Sequence, residues 1–245
     1  GFGALGCPVG VELALWDVSV QVYDLTEYDT NSLRKKVQIA CKDLLTTRQL
    51  LKTDVDEAMM RIQTTTNPAI AMKNAQLVIE MLPDKHKVST LQTVQKFAGD
   101  DVIFASSLKM PTTNLHLDTI ADSLSSKKDS LLGMRFLMPC ILIDHVEVTR
   151  TSYTSDTTWD RALGFLRSLN KYPFYGHSNI TLNDDNIRHL QQEAVARRKS
   201  QFIPAPPFHK VDNDTLTKSK LNYTDHELRE IEIGYHVDTA FPWAN

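Results

Sequence analysis

Three glycines open the chain with the spacing of a phosphate-binding turn. Gly1, Gly3 and Gly6 stand in the segment GFGALG, and a helix-forming stretch follows from Val9 to Leu15. In such a segment the first glycine permits a tight turn, the second lets the backbone approach a pyrophosphate, and the third lets the helix pack closely on its strand. The free N–H groups and the positive dipole of the helix N-terminus then face the phosphates. The segment therefore predicts a site for a dinucleotide.

An acidic residue ends the apolar stretch that follows this helix. The stretch runs from Val18 to Tyr23, and Asp24 comes next, eighteen residues after Gly6. A carboxylate at this position accepts hydrogen bonds from the hydroxyls of an adenosine ribose and repels a 2′-phosphate. The spacing therefore favours NAD over NADP, and a glycine-rich turn that binds no cofactor is the alternative.

Helix and strand patterns alternate up to about residue 175, which favours a parallel α/β sheet of the Rossmann type. Strands are predicted over 18–23, 63–66, 75–82, 102–106, 132–136, 146–149 and 172–175, and helices over 9–15, 31–51, 53–62, 87–97, 115–124 and 157–169. Thr53 with Asp56 and Glu57 is predicted to cap the third helix. The strand that normally precedes the turn is absent from the sequence. The predicted fold class is thus a doubly wound, mostly parallel α/β sheet with its first strand missing or truncated. We expect the natural chain to begin several residues earlier; a truncated product that folds poorly is the alternative.

Composition argues against several classes of protein. A net charge of −3 and a pI near 6.3 argue against sequence-independent binding to nucleic acid or to an anionic membrane. No signal peptide is visible, and no apolar run approaches the roughly 20 residues that span a bilayer. Cys7, Cys41 and Cys140 lack metal-ligand spacing and indicate buried, reduced thiols of a cytoplasmic or nuclear protein. The histidines show no ligand spacing either, so no metal site is predicted.

The chain is predicted to divide into two parts near residue 176. Residues 1–176 form the α/β domain, and residues 177–245 form a helix over 186–202 followed by a proline-rich, polar tail. Phe241 and Trp243 are aromatic residues in this tail. They predict that residues 204–245 dock onto their own domain or onto a protein partner.

Seven motifs follow one another in order along residues 1–175. They are GFGALG at 1–6, VYD at 22–24, LVIEMLPD at 77–84, IFASS at 103–107, GMRFLMP at 133–139, VEVTRT at 146–151 and TSDTTWDRALGFLRSLNKYP at 154–173. Together they resemble the NAD-binding domain of the L-3-hydroxyacyl-CoA dehydrogenases. The resemblance implies NAD as cofactor and hydride transfer between NAD and C3 of an acyl-CoA. The expected cofactor-binding residues are Gly1, Phe2, Gly3, Ala4, Leu5, Gly6, Asp24, Leu82, Pro83 and Asp84.

The resemblance breaks at the residues that carry the family's chemistry. A histidine of the motif His-Phe-Phe-Asn-Pro takes the proton from the substrate hydroxyl, and a glutamate twelve residues later holds it. Arg135 and Met138 match the histidine and the asparagine of that motif, whereas Glu147 keeps the glutamate position. An arginine has no usable lone pair at neutral pH, so Arg135 cannot act as a general base. We expect it to form an ion pair with Glu147.

Two other residues keep an enzymatic alternative open. The family motif Ser-Asn-Thr-Ser is matched by residues 106–109, so Lys109 replaces its last serine. A lysine can act as an acid or a base when burial lowers its pKa. Strand alternation places His145 on the same face as Glu147.

The glycine-rich turn and Asp24 of the cofactor site are retained, whereas Arg135 and Met138 replace residues of the catalytic motif. This combination favours an NAD(H)-binding, catalytically inactive protein that acts as an interaction or regulatory module. An active NAD-dependent oxidoreductase that uses Lys109 or His145 is the alternative, and a structural module without cofactor is a third. The family's Pro-Gly-Phe segment opens the helical domain that builds its dimer, and residues 177–183 lack it. No strong dimer is therefore expected.

Overall fold

The structure is a computed structural model that describes residues 1–46, 50–107, 116–141 and 143–175, with His189 and Gln192. The helices are α1 (Gly6–Leu15), α2 (Thr30–Thr46), α3 (Lys52–Arg61), α4 (Pro68–Met72), α5 (Asp84–Val94), α6 (Leu117–Ser123) and α7 (Asp156–Ser168). The strands are β1 (Val20–Tyr23), β2 (Ile62–Thr65), β3 (Leu77–Glu80), β4 (Ile103–Ser106), β5 (Leu131–Phe136), β6 (His145–Arg150) and β7 (Tyr172–Tyr175). The predicted tail over 204–245, and all but two residues of the predicted helix over 186–202, lie outside this part of the chain.

The described strands form two sheets. β1 and β2 pair in parallel, and the second sheet has the order β3-β4-β5-β6-β7, in which β5 and β6 run antiparallel and the other pairs run parallel. A Cβ on Gly1 would lie 3.3 Å from Leu82 Cδ2 and 3.5 Å from Asp24 Oδ2, so Gly1 sits where β1 and β3 both end. The prediction of a mostly parallel Rossmann-type sheet is confirmed.

Apolar side chains cover both faces of the five-stranded sheet. On one face, α1 and α7 pack through Leu13 and Trp159 against Met134 of β5 and Val148 of β6. On the other face, α5 and α6 pack against β4 and β5. Side chains alternate along a strand, so Arg135 points to the face opposite Met134. The packing thereby fixes the face on which the candidate catalytic residues lie.

All three cysteines are buried and free, as predicted. Burial raises the pKa of Cys7 to about 11, which keeps its thiol protonated at neutral pH. Within the described residues, no helix combines the length and the apolar character needed to cross a membrane. The same residues contain no group of three or more histidine, cysteine or acidic side chains placed to hold a metal ion.

Several helix termini differ from the sequence-based expectations, and α1 begins at Gly6 instead of Val9. The predicted cap from Thr53, Asp56 and Glu57 is wrong, because Asp54 Oδ2 accepts the Leu51 N–H at 2.8 Å instead. The helix predicted over 31–51 is described over Thr30–Thr46, and Leu50 and Leu51 lie outside any helix. The helix predicted from residue 87 begins at Asp84, directly after a proline that cannot extend a helix backwards.

One α-helix of the described residues, α4, lies outside every predicted helix. Asn67 Oδ1 accepts the N–H of Ala69 at 2.9 Å, and Pro68 occupies the first position of the short helix α4. Both features favour helix initiation, although the same dipeptide also marks turns.

Candidate cofactor and catalytic site

The glycine-rich turn leaves open space in front of the N-terminus of α1. A Cβ on Gly6 would overlap with the carbonyl oxygen of Gly1, so only glycine fits where α1 begins. A Cβ on Gly3 would meet nothing within 4 Å, and Ala4 and Leu5 are exposed beside it. Phe2 is buried beneath the turn, where it packs against Gly10. Free N–H groups at an open helix N-terminus suit a pyrophosphate.

Asp24 lies at the carboxyl end of β1, next to this turn. Its Oδ2 accepts the Phe2 N–H at 2.6 Å and the Tyr28 hydroxyl at 3.0 Å, and its Oδ1 accepts the Thr26 N–H at 3.4 Å. Partial burial raises the pKa of Asp24, but these hydrogen bonds and the positive charge of the Gly1 amino group together leave the pKa below its ordinary value. The carboxylate is therefore ionised at neutral pH, the state that accepts a ribose hydroxyl and repels a 2′-phosphate.

A buried ionic cluster that the sequence analysis missed holds the ends of β3 and β4. Lys87 Nζ donates to Glu80 Oε2 at 2.9 Å and to the Ser107 carbonyl at 2.8 Å, and the Ser106 hydroxyl donates to Glu80 Oε2 at 2.7 Å. Glu80 also accepts the N–H of Leu82. The cluster thus fixes the start of the segment 82–84, whose Pro83 and Asp84 are exposed beside the turn. A glutamate at the end of an apolar strand, followed by a lysine on the next helix, was the available sequence signal.

The predicted ion pair between Arg135 and Glu147 is present in the structure. Arg135 and Glu147 face each other on β5 and β6, and Arg135 Nε donates to Glu147 Oε2 at 2.6 Å. Arg135 Nη2 also lies against Oε2 as an ion pair, and the Glu147 side chain is only 5% exposed. Met138 follows β5 and is partly buried. Lys109 lies outside the described residues.

His145 lies two residues before Glu147, on the same face of β6. Its ring centroid is 5.7 Å from that of Tyr172 and 6.3 Å from that of Phe174. His145 Nδ1 is buried and has no hydrogen-bond partner among the described residues. The structure therefore places one imidazole nitrogen without a partner on the face of the Arg135–Glu147 pair.

A second buried ion pair, which the sequence analysis also did not predict, joins α1 to the segment between β5 and β6. Lys171 Nζ lies 2.5 Å from Glu12 Oε1 and donates to the Cys140 carbonyl at 2.8 Å. Trp16 Nε1 donates to the same Glu12 oxygen at 3.0 Å. Burial lowers the pKa of Lys171, but the Glu12 carboxylate outweighs it, so the pKa lies above its ordinary value. The pair fastens α1 to the segment between β5 and β6, which carries Met138.

Comparisons with known proteins agree with this geometry. The sequence model of the family described as "3-hydroxyacyl-CoA dehydrogenase, NAD binding domain" matches residues 1–178. The mitochondrial hydroxyacyl-coenzyme A dehydrogenase of Rattus norvegicus is 26% identical over 180 residues, which cover 71% of this chain and 56% of that protein. The chain thus spans little more than half of the length of this relative.

Solved structures show the same fold. FadB2 of M. tuberculosis aligns with a TM-score of 0.67 at 20% identity, over 96% of this chain and 92% of that one. The (S)-3-hydroxybutyryl-CoA dehydrogenase of Ralstonia eutropha aligns with a TM-score of 0.64 at 21% identity, over 96% and 90%. Because the family model matches most of the chain and the Rossmann-type fold is shared, this chain belongs to the family of 3-hydroxyacyl-CoA dehydrogenase NAD binding domains, and its cofactor is NAD.

Proposed function

We propose that this domain binds NAD(H) without oxidising 3-hydroxyacyl-CoA and that it serves as an interaction or regulatory module. The observation that carries the proposal is the ion pair between Arg135 and Glu147. It occupies the place where the family has its base and the carboxylate that orients it.

The chemistry of the pair explains why turnover is not expected. NAD supplies a hydride acceptor when bound, but the substrate hydroxyl must also lose a proton to a base. A guanidinium is always charged in proteins and offers no lone pair, so Arg135 cannot take that proton. Its Nε already donates to Glu147, so the carboxylate is neutralised by an ion pair instead of orienting an imidazole. The thioether of Met138 cannot polarise a carbonyl oxygen as an amide N–H does.

The cofactor half supports the binding side of the proposal. The open space beside Gly3 accommodates a pyrophosphate, and the ionised Asp24 ends the neighbouring strand. The segment 82–84 is held by the buried Glu80–Lys87 pair. Each of these features is intact in a domain whose catalytic half has changed.

His145 supports a second candidate function, an active oxidoreductase with a displaced base. Its Nδ1 lacks a partner and lies on the face of Glu147, as a base would need to. A base must also come within hydrogen-bond reach of the substrate hydroxyl. Lys109 is the other candidate base of this alternative.

Calorimetric titration with NADH, followed by a steady-state assay with 3-hydroxybutyryl-CoA and NAD, tests the proposal. We expect saturable NADH binding and no turnover above background. The absence of NADH binding in folded protein would overturn the binding half of the proposal. Turnover that disappears in His145→Ala or Lys109→Met would instead establish the displaced-base alternative.

A further inference from the structure

The Tyr28 hydroxyl donates to the Asp24 carboxylate, which is also the expected acceptor for the hydroxyls of the adenosine ribose. The accepting oxygen is Asp24 Oδ2, at 3.0 Å, which already accepts the Phe2 N–H at 2.6 Å. Thr26 donates to the other oxygen, Oδ1, at 3.4 Å. A carboxylate offers about four lone-pair sites, two on each oxygen. Three of them are taken, so one site on Oδ1 remains.

A ribose diol needs two acceptor sites on this carboxylate. With Tyr28 in place, Asp24 can accept one hydroxyl and not both. The second becomes available only when the Tyr28 hydroxyl leaves Oδ2, because the Phe2 N–H belongs to the turn itself and cannot move away independently.

Two contacts hold the ring of Tyr28 in this position. The ring of Phe2, which is buried, meets it edge-on with a centroid separation of 6.2 Å. Lys36, which lies on α2, places its Nζ 5.2 Å from the centroid of the Tyr28 ring and donates to the Phe2 carbonyl at 3.3 Å. A cation over an aromatic face attracts the ring. The hydroxyl is therefore positioned on Asp24 and does not sample that contact by chance.

We infer that Tyr28 competes with the adenosine ribose of NAD for Asp24 and thereby sets both the affinity and the ribose selectivity of the site. The inference rests on NAD binding at the glycine-rich turn. In the wild-type domain, the contribution of the second ribose hydroxyl is cancelled by the Tyr28 hydroxyl. Removing that single oxygen returns the second acceptor site to the ligand.

The test compares NADH with its analogue that lacks the 2′-hydroxyl of the adenosine ribose, by calorimetric titration of wild-type and Tyr28→Phe protein. The wild-type domain should bind the two ligands with similar affinity. Tyr28→Phe should bind NADH about tenfold more tightly than the analogue, the fold-change of one hydrogen bond to a charged group.

Two controls separate this effect from a general loss of a hydroxyl. Tyr153→Phe also removes a tyrosine hydroxyl that interacts with an aspartate, Asp122 on α6, which raises the pKa of Tyr153; this variant should leave the affinity ratio unchanged. In an Asp24→Ala background, Tyr28→Phe should no longer change the ratio, because the shared acceptor is gone.

Each outcome decides between the inference and its premise. An unchanged ratio in Tyr28→Phe protein that binds NADH overturns the competition alone. Loss of NADH binding in both wild-type and Tyr28→Phe protein overturns the proposed cofactor binding together with the inference. Binding that appears only in Tyr28→Phe protein supports the competition for Asp24 but overturns NADH binding by the wild-type domain.

Discussion

At the scale of single residues, the glycine-rich turn leaves space for a cofactor, whereas the candidate catalytic residues Arg135 and Glu147 pair with each other. Gly3 and Asp24 leave space and an ionised acceptor for a cofactor. Arg135 and Glu147 face each other and satisfy one another's charge. Of the sequence-predicted catalytic positions, Arg135 and Glu147 thus form the pair that was expected, while Lys109 and its role stay a prediction.

Cofactor selectivity is expected to depend on Asp24. In Asp24→Ala, the affinity for NADH should fall by about tenfold, since the ribose loses a hydrogen bond to a charged acceptor. The affinity for NADPH should fall less or rise, because the repulsion of its 2′-phosphate is removed. Calorimetric titration with both cofactors measures this change.

Asp100→Ala is the matched control for this prediction. It removes the same charge from a fully exposed residue that precedes β4. Asp24, in contrast, follows the carboxyl end of β1. It should leave both affinities unchanged. Equal binding of NADH and NADPH to wild-type protein, unaltered in Asp24→Ala, would refute the assignment of Asp24.

Among the elements, α1 connects the two halves of the site. Its N-terminus faces the glycine-rich turn, and Glu12 near its other end pairs with Lys171 at the start of β7. Lys171 in turn holds the carbonyl of Cys140 in the segment between β5 and β6. The helix below the cofactor is thus fastened to the segment that carries Met138.

Removing one partner of this buried pair should be far more costly than removing both. Lys171→Met leaves the Glu12 carboxylate, only 2% exposed, without its cation, and should lower the free energy of unfolding by about 3–5 kcal/mol. The double variant Glu12→Gln with Lys171→Met keeps an acceptor for Trp16 and should cost much less. Urea unfolding of the wild-type protein, the single variants Lys171→Met and Glu12→Gln and the double variant measures the coupling, and additive losses would contradict it.

The pair also predicts how stability depends on pH. The pKa of Lys171 is raised in the folded protein, so its contribution is fully present below its ordinary value of 10.5 and is lost as the pH rises through the folded value. Wild-type protein should therefore lose stability above pH 10.5 more steeply than the double variant. Parallel curves in this alkaline range would show that Lys171 contributes no such linkage.

Elements with strong periodicity were predictable from the sequence, and contacts between distant segments were not. The apolar face of α7, with Trp159, Leu163 and Leu166, predicted its helix within one residue at each end. The Arg135–Glu147 pair was predictable because the two residues stand where a known pair stands. The Glu12–Lys171 pair was not, since its partners lie at opposite ends of the domain and each resembles an exposed charge in sequence. The hydrogen bond from Tyr28 to Asp24 was not predictable either, because it depends on the conformation of the turn that follows β1.

For the molecule as a whole, the 180 residues that align with the rat hydroxyacyl-coenzyme A dehydrogenase span 56% of that protein's length. We propose that the domain is monomeric, since the family's dimer depends on a helical domain whose opening segment is not found in residues 177–183. A cytoplasmic or nuclear location and a protein partner for residues 204–245 are parts of the same proposal.

Light scattering at micromolar concentration checks the assembly prediction. The expected result is a monomer, both for the whole chain and after deletion of residues 204–245. If those residues engage a partner protein, their deletion should also leave the melting temperature nearly unchanged. A stable dimer that survives the deletion would reveal a different interface, and a fall of many degrees would show that residues 204–245 stabilise the core.

The separation of cofactor binding from chemistry is tested most directly in a single turnover. Protein saturated with NADH is mixed with acetoacetyl-CoA, and the absorbance of NADH is followed beside an active relative such as the Ralstonia eutropha 3-hydroxybutyryl-CoA dehydrogenase. With Arg135 in the position of the histidine, NADH oxidation should be undetectable or slower than in that relative by at least ~10²-fold, the low end of the contribution of general acid–base catalysis. In this direction the carbonyl oxygen must receive a proton, and a guanidinium does not give its proton up. Oxidation of the bound NADH at a rate comparable to that of the relative would contradict the account.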